Sequence, residues 1–290
     1  MQEPEVDQAL LLRAMTDADL AAGLRLCRAS HWNQVEDDWR CFLDLKGAGC
    51  RLAHRGDTVV GTAAFLRYIG GFGWIAMMLV DPGTRRAGIG SQLLESALRE
   101  LRDQACIRLD ATPAGEPLYR RYGFVDEYPL ARTKTLVTPD QFRPSHKNVQ
   151  RMELAELPEV FARDQVVFGA DRSALLARFF SRSPELAWVA RDAGSLAGYC
   201  FGRQGYLYSQ LGPIVAEDSG IARELAAHSL SGQIGKRIAI DVPRHAPEWI
   251  QWMESAGFEV ERPFLRMCLG DKPNAGLPDR VFGITGPEFG

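Results

Sequence analysis

Residues able to hold an anion stand together at Thr84, Arg85, Arg86, Ala87, Gly88, Ile89, Gly90 and Ser91. They follow a short apolar run, Trp74 to Val80, that is broken at Asp81, Pro82 and Gly83. After them Leu93, Leu94, Ala97, Leu98 and Leu101 recur at helical spacing. Pro82 cannot donate to a β-ladder, so the pattern predicts a strand, a tight loop and a helix. A loop of this kind presents consecutive backbone N–H groups at a helix N-terminus. Its glycines let the main chain approach a ligand, and the helix dipole favours negative charge. A phosphate or pyrophosphate is the expected guest. Two phosphate motifs fail here: a P-loop needs Gly-Lys-Ser/Thr, but Gly90 is followed by Ser91 and Gln92, and a dinucleotide fingerprint needs a glycine where Leu93 stands. What remains is R-x-x-G-x-G from Arg85 through Gly88 to Gly90, with a plain strand-to-helix turn as the competing reading.

A second segment, Leu109 to Phe124, carries Asp110, Ala111, Thr112, a Pro- and Gly-containing turn, Tyr119, Tyr122 and Gly123-Phe124. Together, and in this order, the two segments resemble the hallmarks of the GNAT superfamily of acyl-CoA-dependent N-acyltransferases. The resemblance covers about residues 8 to 137. It implies an α/β fold of the α+β type, with a mostly antiparallel central sheet flanked by helices. It also implies transfer of an acetyl group from acetyl-CoA to the amine of a small-molecule acceptor.

The resemblance further implies roles for particular residues. Main-chain groups at Met78, Leu79 and Val80 would bond the pantetheine and polarise the thioester carbonyl, as an oxyanion site does. Arg86, Ala87, Gly88, Ile89, Gly90 and Ser91 would hold the pyrophosphate, with Arg85 at the family's Arg/Gln position. Tyr119 stands where the family places a general acid for the departing thiolate, and a packed core tyrosine is its competing role. Thr112 departs from the family's asparagine seven residues before that tyrosine, so a hydroxyl would replace an amide. The stretch Ser30 to Gln34 corresponds to a region that lines the acceptor pocket, which makes Trp32, Asn33 and Asp38 acceptor-site candidates. An amine with a lysine-like pKa near 10.4 must lose a proton before it attacks. The central strand offers no carboxylate, which leaves Glu36, Asp38, Asp110 and Glu116 as possible bases.

Composition narrows the classes. At 290 residues, 46% apolar and 24% charged, the chain is long enough for two domains with real cores. A formal charge of -3 and a pI near 6.0 leave no electrostatic footprint for nucleic acid or an anionic membrane. No apolar run approaches the roughly 20 residues of a membrane helix, and Met1 to Ala14 lacks the basic start and apolar centre of a secretory signal. The six cysteines are scattered without a CxxC pair, so buried thiols, no metal site and a cytoplasmic setting are expected. Oligomeric state is left open.

Along the chain, helical spacing covers Arg13 to Arg28 and about Glu36 to Leu45, and alternation predicts strands over Arg51 to His54 and Val59 to Tyr68. Further strands are expected over Ile107 to Ala111 and Tyr128 to Val137. Residues 138–150 are polar, contain two prolines and show no periodicity, as a linker would. Beyond them the first pattern returns in weakened form, with Trp188 to Gly198, Tyr206 to Val215, Ile238 to Val242 and Ala256-Gly257-Phe258 echoing earlier segments. The expected organisation is therefore a catalytic domain over 1–137, a linker over 138–150, and a degenerate GNAT-like domain over 151–290 with a structural or acceptor-pocket role. In the second copy Glu217 and Asp218 occupy the place of the arginine-glycine loop, and Met253 that of Tyr119. One working cofactor site is expected, because carboxylates repel a pyrophosphate. Two other roles compete: a peptide or protein N-acetyltransferase, which needs an open groove, and a non-catalytic acyl-CoA-binding sensor, which has no use for Tyr119.

Overall fold

The computed structural model describes residues 9–145, 148–271 and 276–290. It divides into two compact units, one of residues through Arg67 with Ile75–Gln104, the other of Tyr68–Trp74 with Ala105–Gly290.

The first unit contains β1 (Leu10–Ala14), α1 (Leu20–Ala29), α2 (Glu36–Asp44), β2 (Ala48–Arg55), β3 (Thr58–Arg67), the part of β4 (Gly73–Val80) from Ile75 onward, and α3 (Ile89–Glu100), while Gly73 and Trp74 belong to the second unit. Its strands lie in the order β1-β2-β3-β4, with β1/β2 and β2/β3 antiparallel. The helical spacing read from Arg13 is corrected by β1, which pairs Leu10 with Arg55 through to Ala14 with Arg51. Three successive leucines mask strand alternation, and only the edge of β2 selects the extended form. The helix begins at Leu20, after a turn closed by Asp19, whose carboxylate accepts from the Thr16 N–H at 2.9 Å and from both Arg13 guanidinium NH groups at 2.7 Å. Helix α3 buries Leu93, Leu94 and Ala97. A Cβ at Gly61 would meet Leu93 Cδ1 at 2.8 Å and the Leu79 carbonyl at 2.9 Å, so glycine lets this helix lie close to the strands.

The second unit contains β5 (Cys106–Ala111), α4 (Glu116–Arg121), β6 (Val125–Leu136), β7 (Val149–Arg151), α5 (Leu157–Phe168), α6 (Ser173–Arg182), β8 (Trp188–Asp192), β9 (Ser195–Arg203), β10 (Ser209–Ala216), α7 (Ser219–Ser231), β11 (Arg237–Pro243), α8 (Pro247–Ser255), β12 (Glu259–Gly270) and β13 (Val281–Gly283). Its strands run β5-β12-β6-β11-β10-β9-β8-β7, with β13 on β10. The first two residues of β4, Gly73 and Trp74, pair in parallel with Ile107 and Arg108.

Strand β12, from the second sequence half, lies between β5 and β6, while β6, from the first half, lies beside β11. The exchange is sealed by matching ion pairs. Arg266 opposes Asp110 and bonds its two oxygens at 2.8 and 2.9 Å, and Arg132 opposes Asp241 and bonds it at 2.7 Å twice. The guanidinium forks also reach a tyrosine hydroxyl each, Tyr128 and Tyr208 respectively. This strand exchange is why the compact units do not follow the sequence halves. Within the expected linker 138–150, residues 138–145 form neither helix nor strand, whereas Val149 and Gln150 belong to β7 and pair with Ala190 and Val189 of β8; Phe142 is buried against Trp252 and Phe258, and Gln141 donates to the Ala256 carbonyl at 2.7 Å. His146 and Lys147 lie outside the described residues. Among the described residues no helix is long and apolar enough to cross a membrane, and all six cysteines are buried.

Candidate acyl-carrier site

The loop after β4 is built on a pinned strand end. The Asp81 N–H donates to the Val60 carbonyl at 2.8 Å, and the Asp81 carboxylate accepts from Gly83 N at 3.1 Å and from Arg25 at 2.7 Å. Arg25 also donates to the Val59 carbonyl. From this anchor the chain turns through two left-handed residues, Arg86 at φ 67° and Gly88 at φ 76°. Glycine adopts that conformation freely, whereas an arginine there costs roughly 1–2 kcal/mol. Gly88 is also the N-cap of α3, and among the described residues no side chain caps that helix. The first-turn N–H groups, which have no acceptor inside a helix, therefore face outward beside the exposed Arg85, Arg86, Ala87 and Gly88. Ile89 is buried and ties the turn to the core, while Gly90 and Ser91 are half-buried. Uncapped donors, a positive helix end and two guanidiniums fit a diphosphate.

Strand β4 carries an irregularity that its apolar sequence gives no sign of. Met77, in the middle of the strand, has φ 50°, and its carbonyl accepts from the buried Thr62 hydroxyl on β3 at 2.8 Å. A bulky residue held in the left-handed region within a strand is a costly feature of a kind that clusters at ligand sites. Met78 and Val80 follow it half-buried, and Leu79 points into the core.

In the second unit, Tyr119 sits on the six-residue helix α4 and is 7% exposed. Its ring meets Phe124 edge to face at 5.9 Å, and burial pushes its phenol well above the usual value near 10. The core-packing role and a protonated hydroxyl thus belong to the same residue. The Thr112 hydroxyl accepts from Gly115 N at 3.2 Å and closes the turn before α4. A Cβ on Gly115 would lie 3.5 Å from the hydroxyl oxygens of both Thr112 and Tyr119.

The acceptor and base candidates have more structural partners than sequence reasoning expects. Arg28 holds the link after α1 by donating to the carbonyls of Trp32 at 2.9 Å and Gln34 at 2.8 Å. Trp32 is half-buried, and Asn33 and Asp38 are buried. Asp38 accepts from Val35 N at 2.9 Å and so caps α2, while Trp39 is core. Glu36 is paired with Arg40 at 2.7 Å and Glu116 with Arg120 at 2.8 Å, both at the surface. Asp110 is held by both arms of Arg266; burial lifts its carboxyl above the ordinary range and the guanidinium opposes that lift. Sequence reasoning overlooked Glu127, which pairs with Arg108 at 3.1 Å beside a recess also lined by Tyr128, Phe168 and Arg172. No motif could have found it, because its burial comes from strand order.

The second half handles the corresponding places differently. Helix α7 is capped by Asp218, whose carboxylate accepts from Ile221 N at 2.9 Å. Glu217 pairs with Arg163 and Arg280. Strands β10 and β11 pair in parallel at Ser209 with Ile238 and Gln210 with Ala239. Further along, β13 lies on β10, and Ile284 N donates to the Asp241 carbonyl of β11 at 2.9 Å. Residues 281–284 thus occupy the space between the two strands, where a Cβ on Gly283 would meet Ile240 and Ile214 at 3.1 and 3.2 Å. Met253 is a buried core residue.

Strand β4, left-handed at Met77, leads into an uncapped, arginine-flanked helix start, an arrangement that can take an anionic ligand. The comparisons with known proteins name the family. Residues 46–126 and 160–283 each match a family model described as an acetyltransferase (GNAT) domain. The chain belongs to the GNAT superfamily, carries two such domains in tandem, and is an N-acetyltransferase. Domains of this kind use acetyl-CoA as co-substrate. Holothin acyltransferase from Pseudoalteromonas sp. (strain SANK 73390) is 26% identical over 90% of this chain and 88% of its own length. The uncharacterized N-acetyltransferase YitH of Bacillus subtilis (strain 168) is 28% identical over 76% of this chain and 77% of its own. Among solved structures, a provisionally named acetyltransferase from Pyrococcus horikoshii shares the fold at a TM-score of 0.82, with 24% identity and coverage of 100% and 99% of the two chains. A tandem GNAT protein from the clavulanic acid biosynthesis pathway shares it at 0.66, with 15% identity and coverage of 92% and 100%. Among the described residues no three His, Cys, Asp or Glu side chains gather as metal ligands would.

Proposed function

We propose that the chain moves an acetyl group from acetyl-CoA to the amine of a small-molecule acceptor, using one cofactor site in the first sequence half and none in the second. The observation that carries this reading is the uncapped start of α3 at Gly88, set against the Asp218-capped start of α7. Backbone N–H groups of Arg86 to Ser91, with Arg85 alongside, hold the pyrophosphate. Main-chain groups at Met78, Leu79 and Val80 hold the pantetheine and face the thioester carbonyl, where a donor stabilises developing negative charge. The bound co-substrate supplies the activated acyl group. Tyr119 Oη gives its proton to the departing sulfur, and the Thr112 hydroxyl braces the turn that carries that tyrosine. Since Glu36, Asp38, Asp110 and Glu116 are all engaged by other groups, the acceptor proton leaves through water, or the amine arrives unprotonated. A small molecule as acceptor is supported by the relative named for holothin, which spans 90% of this chain.

Isothermal titration with acetyl-CoA tests the cofactor assignment and a thiol-release screen over an amine panel tests the reaction. One acetyl-CoA per chain and turnover with small amines are expected. Two per chain, or turnover only with peptide N-termini, would contradict the reading.

A further inference from the structure

The left-handed turn of β4 at Met77 does more than interrupt a strand, because one side chain bonds the carbonyl of the peptide that it turns. Met77 has φ 50°, and its carbonyl is held at 2.8 Å by the Thr62 hydroxyl. Thr62 is fully buried on β3, the neighbour of β4 in the sheet. In a trans peptide the carbonyl of one residue and the N–H of the next point in opposite directions. A carbonyl of Met77 tied toward β3 therefore turns the Met78 N–H away from β3. A left-handed methionine is disfavoured by itself, so the conformation needs an added interaction to persist, and the hydroxyl supplies one at the carbonyl concerned.

We propose that Thr62 is a positioning residue of the acetyl-transfer site, which holds the Met77–Met78 peptide so that the Met78 N–H is the donor facing the thioester carbonyl oxygen. This rests on the assignment of Met78 to Val80 to the thioester. Thr62 itself touches neither partner of the reaction and acts through the Met77 carbonyl. Threonine suits this role because its branched side chain fits a buried strand position, and its hydroxyl is the atom that valine, of nearly the same shape, lacks.

The test compares Thr62→Val with Thr62→Ser on the full chain, using acetyl-CoA and the best amine of the panel with a thiol-release readout. Thr62→Val is expected to lower kcat about tenfold while the KM for acetyl-CoA stays within about twofold, since pyrophosphate holding is untouched and a misaimed oxyanion donor is felt in the reacting state. Thr62→Ser, which keeps the donor, is expected to return kcat to within about threefold of the parent. Equal kcat for Thr62→Val and the parent overturns the proposal, and so does an equal loss in both variants, which would mark a packing role. Should Thr62→Val lose its cooperative thermal transition, Thr62→Cys takes its place with the same two outcomes, because a thiol keeps the volume and donates weakly. A parent protein that fails to bind acetyl-CoA overturns the functional reading together with this inference. A parent that binds and turns over, with Thr62→Val unchanged, overturns this inference alone.

Discussion

Helices α3 and α7 follow corresponding strands in the two halves, yet they begin in opposite ways. At α3 the chain spends a left-handed arginine and a left-handed glycine to leave the first-turn donors without a side-chain cap. At α7 the chain supplies its own anion, Asp218, to the Ile221 N–H. The strands differ in the same sense: β13 and Ile284 fill the gap beyond the two paired positions of β10 and β11 with protein main chain. On the proposed reading, the second half has its cofactor site closed without any change of fold. It is enough that a carboxylate and a short strand take up the donors and acceptors an exogenous ligand would need.

The largest expected effect concerns what the halves share. Asp110→Asn and Asp241→Asn should each destabilise by about 3–5 kcal/mol in denaturant unfolding, since either change leaves a buried arginine without its carboxylate. A clearly smaller cost for one of them would show that the exchanged strands are not equivalent. Gly88→Val should weaken acetyl-CoA binding about thirtyfold by calorimetry, as about 2 kcal/mol of left-handed strain falls on the loop. Gly220→Ala, at the equivalent helix start, should leave binding unchanged, and equal effects would erase the contrast between the two loops.

Tyr119→Phe should lower kcat at least tenfold with little change in acetyl-CoA affinity, whereas Met253→Leu should leave kcat intact. An unchanged kcat in Tyr119→Phe would remove the acid role. The pH profile follows from the same residue. A phenol is protonated below its pKa, and burial raises that of Tyr119, so its proton should remain available and cause no alkaline loss of kcat up to about pH 10. The smallest effect is expected for Asp218→Ala. Losing the cap should cost about 1 kcal/mol of stability. It should leave one acetyl-CoA per chain, because residues 281–284 still fill the gap between β10 and β11. A second bound acetyl-CoA in this variant would show that the carboxylate alone had kept that half closed.

Much of the fold is legible in the residues alone. Local features are read well because they depend on neighbours in sequence: the strand, loop and helix from Trp74 to Leu101, the tyrosine helix before Gly123-Phe124, and the weakened repeat beyond residue 150 are all present as elements. The edge strand at Leu10–Ala14 reads partly as helix, because nothing among three leucines signals which open edge they will meet.

What the sequence by itself determined is the set of local conformations and their chemistry: where glycines permit a left-handed turn, where a helix begins with or without its own carboxylate, and which residues can carry a proton. Only the tertiary structure decided which of those residues stay available. Strand order placed Arg266 on Asp110, one of the base candidates, brought Thr62 onto the Met77 carbonyl, and laid residues 281–284 beside β10. The physical reason is that propensity and capping are summed over a few neighbouring residues, whereas burial, ion pairing and the filling of a strand gap depend on partners brought together from distant parts of the chain.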